Sequence, residues 1–156
     1  MDEERFDLAY CELTDSLIKS DHPFFFYMSE IRMAQAELGN AISSAVRLQE
    51  TRSVLDMLDS IHDHLFEEDV ELPDRDRKML NHADEVWLDV KQKLGTGDRR
   101  IASLMSASAH MRNAVSYLIQ ARSDPDFKDR ISDYVVKYLT KLSVYTYREA
   151  IGHVLL

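Results

Sequence analysis

The sequence predicts an all-α protein, an antiparallel bundle of long helices, and three observations carry that prediction. Apolar residues recur at three- and four-residue steps through every long segment. Gly and Pro, 4 and 3 in number, are scarce enough to act as punctuation between those segments. No strand alternation survives comparison with the helical patterns, and no repeat or low-complexity tract is present. The 156 residues form one domain on this reading, since a compact domain typically holds ~100–200.

The elements follow in order. Residues 3–19 carry Phe6, Tyr10, Leu13 and Leu17 along one helical stripe, which predicts an N-terminal helix ended by Ser20-Asp21-His22-Pro23. Pro23 disfavours the α region at His22, and the Phe24-Phe25-Phe26-Tyr27 run beyond it must be buried or must meet a partner. A second helix is expected over residues 27–48, with Ala34, Ala36 and Ala41 allowing close approach of neighbours. A third starts after Thr51 and carries Val54, Leu58, Ile61 and Leu65. Asp74 is a suitable N-cap for a fourth over residues 75–94, which contains Trp87. Gly95-Thr96-Gly97-Asp98 reads as a flexible linker before a fifth helix over residues 99–122. Ser123-Asp124-Pro125 places a capping residue before a first-turn Pro, which starts a short turn leading to a last helix over residues 131–156.

Composition limits the function classes. The chain is 45% hydrophobic with a formal charge of −9, well away from the disordered regime, and the lone Cys11 excludes an internal disulfide. Without a Lys/Arg-rich block, neither a nucleic-acid duplex nor an anionic membrane is the expected partner. The opening Met-Asp-Glu-Glu-Arg lacks signal-peptide features and no apolar run approaches the ~20 residues of a membrane span, so a cytoplasmic protein is expected.

Motifs for chemistry are few. His62 and His64 are two apart, which puts them on different helix faces, and the single His64/Glu67 pair has no second Glu-x-x-His to complete a di-metal bundle site. No metal site is predicted. Cys11 has no adjacent base and reads as a structural thiol. Gly95 and Gly97 lack the strand–loop–helix context of a phosphate loop. Arg148 and His153 stand in the Arg-x4-His spacing reminiscent of helical ribonucleases of the HEPN class, with ordinary placement near a helix end as the competing reading.

Several segments, taken in order, resemble the ATP:cob(I)alamin adenosyltransferases, helical bundles that transfer adenosyl from ATP to reduced corrinoid. Pro23 to Leu38-Gly39 is similar to that family's stretch from Asp-Pro to Asn-Ser-Ala-Leu-Gly. Ile61-His62-Asp63-His64-Leu65-Phe66 with Glu71-Leu72 resembles its I-Q-x-x-L-F-x-x-x-x-E-L helix. Ser106-Ala107-Ser108-Ala109-His110 resembles its S-S-A-L-H, and Tyr138-Leu139-Thr140-Lys141-Leu142-Ser143-Val144-Tyr145 its F-L-N-R-L-S-D-Y. The resemblance spans residues 21–153 and leaves the N-terminal helix, residues 1–20, outside it.

The resemblance implies a trimer, with ATP and a corrinoid as the ligands to test. It does not carry the chemistry. The family's Thr-Gly-Asp-Lys-Gly nucleotide loop has no counterpart. Its nucleotide-contacting Arg falls on Asn113, and its Arg-Arg-Ala-Glu-Arg run falls on Tyr117-Leu118-Ile119-Gln120-Ala121. Asn113, Gln120, Lys141 and Ser143 are what remains as ligand-binding candidates, and no catalytic residue is assigned. Holding a triphosphate needs several cations, which predicts a non-catalytic binding or assembly protein. An active adenosyltransferase with a relocated site and a HEPN-type ribonuclease are the alternatives.

Overall fold

The computed structural model describes residues 6–44, 48–83, 94–95 and 97–155, with the side chains at 48–49 and 153–155 outside the description. A β-hairpin comes first, β1 (Leu8–Cys11) and β2 (Ser16–Lys19). The helices described are α1 (Pro23–Ser43), α2 (Leu48–His64), α3 (Asp74–Asn81), α4 (Arg99–Ala121), α5 (Pro125–Lys128) and α6 (Asp133–Leu155).

Four long helices make the bundle. Each of α1 and α6 packs against both α2 and α4. Side-chain pairs set the directions: Tyr27 meets His62 and Gln35 meets Asp59 between α1 and α2. Glu30 meets His110 and Asn40 meets Ser103 between α1 and α4. Arg122, just past α4, meets Asp133 at the start of α6. His64, at the end of α2, stacks on Tyr134 near the start of α6. Every neighbouring pair is therefore antiparallel, as expected, while α2 and α4 run the same way. Among the described residues of their connection, α3 packs on α6. Leu38, Leu58, Met111, Leu118 and Leu139 lie in the core.

The hairpin corrects the expected N-terminal helix and the expected absence of strand. Leu8 pairs with Lys19 and Cys11 with Ser16, leaving a four-residue loop in which Asp15 takes the left-handed conformation at φ 47°. Tyr10 Oη donates to Asp15 Oδ1 at 2.6 Å. Of the supposed helical stripe, Phe6, Tyr10 and Leu17 are exposed, while Cys11 is buried and Leu13 and Ile18 pack on the core. The three- and four-residue spacing was coincidental, because the burial it implied belongs to other residues.

Smaller corrections concern helix ends. α1 starts at Pro23 rather than at residue 27, so the aromatic run forms its first turn, and it ends at Ser43 rather than 48. Ring burial explains the early start: Phe24 and Tyr27 are buried, on the same face as Ile31. α2 begins at Leu48, ahead of Thr51. Asp74 is the first residue of α3, with Pro73 at the cap, and its carboxylate pairs with Arg77. The rest of the expected fourth helix, with Trp87, lies largely outside the described residues. α4 starts at Arg99 as expected, with Asp98 accepting from Ile101 N–H at 3.0 Å. Asp124 caps α5, also as expected, and α6 starts two residues later than residue 131.

Candidate functional site

The four candidate side chains do not converge. Asn113 and Gln120, seven residues apart on α4, share its exposed outer face. Ser143 is fully buried where α6 meets α4. Its hydroxyl donates to the Thr140 carbonyl at 2.6 Å, and its carbonyl accepts from Ser108 Oγ at 2.7 Å. Lys141 is half-buried two residues away, about 200° around the helix. Of the run that the resemblance aligns with charged groups, Leu118 and Ala121 are core residues. Arg148 is exposed on α6, and the side chain of His153 lies outside the described residues.

The histidines are engaged one by one. His62 Nδ1 stands 2.7 Å from the hydroxyl of Tyr27. Burial drives the Tyr27 hydroxyl far above its usual range, so it stays protonated within its bond to His62. Burial lowers the pKa of His62, against the opposing pull of Asp63, Asp59 and Glu12, and keeps its ring neutral at pH 7. His64 Nδ1 lies 2.8 Å from the Val70 carbonyl, a bond that only an Nδ1–H can make. His110 Nδ1 lies 2.6 Å from Glu30 Oε2. His62 and His64 thus point to different partners, as two-residue spacing on a helix requires. Among the described residues, no group of three or more His, Cys, Asp or Glu side chains is placed to hold a metal.

Sequence reasoning missed two features. The first is a cleft of about 560 Å³ between α2, α3 and α6, lined by Glu50, Arg52, Asp56, Arg75, Asp76 and Tyr145 among others. Burial and the Glu149 carboxylate push the Tyr145 hydroxyl up to about 12, so it is a donor there at neutral pH. Three carboxylates against two guanidiniums give the cleft no strong preference for either sign, and its residues are too scattered along the chain for any motif to reveal.

The second feature is the outer surface shared by α1 and α4. Among the described side chains, every exposed position on α2 is charged, namely Glu50, Arg52, Asp56 and Asp63, and on α6 only Thr140 is not. On α1 and α4 the exposed positions are uncharged apart from Arg32 and Arg99. Phe26 is 45% and Met33 48% exposed on this side, and Phe26 touches Tyr117 at a ring-centroid distance of 5.4 Å. Helical spacing could have revealed it: Phe26, Met33 and Asn40 recur every seven residues on α1, as do Ala102, Ala109 and Ser116 on α4.

Fold and surface together define, among the described residues, a bundle of four long helices in which buried polar groups bond between helices and one long side carries few exposed charges. The chain belongs to the family described as a domain of unknown function, DUF1940, which matches residues 10–152. No curated protein matches it. Among the described residues, no helix is long and apolar enough to cross a membrane.

Proposed function

We propose that this protein is a cobalamin adenosyltransferase-like bundle without transferase chemistry, acting as a binding or assembly protein. The observation that carries this reading is the scatter of the candidate side chains. Asn113 and Gln120 are neutral and exposed, Ser143 is buried with its hydroxyl bonded to its own helix, and Lys141 is the one cation of the four. A single ammonium is a point charge, whereas a triphosphate must have several negative charges held while adenosyl leaves. Leu118 and Ala121, inside the core, cannot be replaced by charged side chains in contact with nucleotide unless the bundle repacks. What remains available for function is the surface, and its largest departure from the rest of the molecule is the charge-poor α1/α4 side.

The test is direct. The protein is incubated with ATP and chemically reduced cobalamin while the corrin absorption is followed, with a thermal-shift panel of nucleotides and corrinoids alongside. No adenosylcobalamin is expected. Formation of adenosylcobalamin that is lost on Lys141→Ala would overturn the proposal in favour of an active enzyme with a relocated site.

A further inference from the structure

From the α1/α4 side we infer that two copies of this chain pair about a two-fold axis, each placing this side on the other. The inference rests on the assembly reading above and names the partner. Its first support is electrostatic. Each copy carries −9, so two copies repel over most of their surfaces and meet most closely where charge is sparsest. That place is the outer face of α1 and α4, where Arg32 and Arg99 are the exposed charges, whereas α2 and α6 carry charge at nearly every exposed position. A basic partner would find its complement on the acidic remainder instead.

The second support is the chemistry of the face. Phe26 and Met33 supply exposed apolar anchors, and Ala36, Ala102 and Ala109 keep the surface low enough for helices to approach. Asn113 and Gln120 each carry a donor and an acceptor, so they can pair with the same groups of an identical copy. The face is also held in shape before any partner arrives. Arg99 Nε and Nη2 donate to Asn40 Oδ1 at 3.0 and 2.6 Å, Asn40 Nδ2 donates to Ser103 Oγ at 2.7 Å, and Glu30 meets His110.

Size and symmetry complete the case. Two adjacent helices of this length present a face about 30 Å long and about 20 Å across, roughly 600 Å² in projection and more in accessible surface. That is the order of the ~800 Å² per partner that stable complexes bury. A closed trimer needs two different complementary faces on each chain, whereas a two-fold pair needs one face that complements itself. The described surface provides one.

Sedimentation equilibrium on the full chain at micromolar concentration tests the pairing. The expected mass is twice the 18.1 kDa of one chain. Ala109→Glu and Met33→Glu, both at exposed helical positions, should each weaken association about tenfold or more with the circular dichroism spectrum unchanged. Asp56→Lys, on the far helix α2, should leave association no weaker. A monomeric wild type, a trimer, or a dimer that tolerates both Glu variants would overturn the inference. A monomer that makes no adenosylcobalamin would remove the pairing and leave the non-catalytic reading standing, while a dimer that makes it would do the opposite.

Discussion

His62 shows how burial turns a titratable side chain into a stability term. Its ring is bonded to Tyr27 Oη at 2.7 Å and packs against Phe66, and burial favours its neutral form in the fold. Because its folded pKa is depressed while its unfolded value stays near 6.5, the two states bind equal numbers of protons well above pH 6.5. As the pH falls through 6.5, the unfolded chain takes up a proton that the folded chain refuses. The contribution of this residue is therefore complete above the unfolded pKa and is lost as the pH falls toward the folded one. Urea titrations from pH 7.5 to 5 should show His62→Gln losing less stability than the wild type over that interval, the difference approaching at most about 1.4 kcal/mol per pH unit. Parallel curves for the two proteins would mean that the fold does not disfavour the protonated form of His62.

At the scale of elements, one histidine and one aspartate join the start of the bundle to its far turn. His22 Nδ1 accepts from Phe24 N–H at 3.1 Å and so caps α1, which leaves the proton on Nε2, 3.0 Å from Asp124 Oδ2. Asp124 in turn caps α5 through Asp126 N–H at 3.0 Å. That backbone bond, followed by His22, lowers the Asp124 carboxyl pKa. The His22 ring stacks on the buried Phe127 at 4.3 Å between centroids. His22→Ala removes the cap, the link and the stack together and should cost about 1–2 kcal/mol in urea unfolding. His22→Asn should recover part of that loss, because Asn can cap α1 but offers Phe127 no ring. Equal losses in the two variants would assign the effect to the stack and the Asp124 link alone.

For the whole molecule the governing quantity is net charge. Two chains of −9 that meet through a charge-poor face still repel through the rest of their surfaces, and the Debye length falls from about 30 Å at 0.01 M salt to about 10 Å at 0.1 M. Association should therefore strengthen as salt is raised from about 0.01 M to 0.3 M, several-fold in the dissociation constant by sedimentation. An interface made of opposite charges would weaken over the same range. Weakening with salt would place the contact on the charged α2 or α6 surfaces.

The sequence by itself determined the helical class and several boundaries, because those depend on residues close together in the chain. The step from Asp98 into Arg99, the Asp124 cap with Pro125 and the buried stripe of α2 are each legible over a few residues. The hairpin was not legible: its Phe6, Tyr10, Leu13 and Leu17 mimic a helical stripe, and whether Tyr10 or Cys11 is buried depends on what packs against them. The candidate residues had the same fate. Asn113, Gln120, Lys141 and Ser143 were identified by type and alignment, but only the packing of α4 against α6 put Ser143 inside and left Asn113 and Gln120 outside. The charge-poor surface was present in the spacing of α1 and α4, yet a single helix cannot say which neighbour lies beside it. Local propensity acts between residues a few positions apart, whereas burial and shared surfaces arise between elements tens of residues apart, and only the tertiary structure decides those.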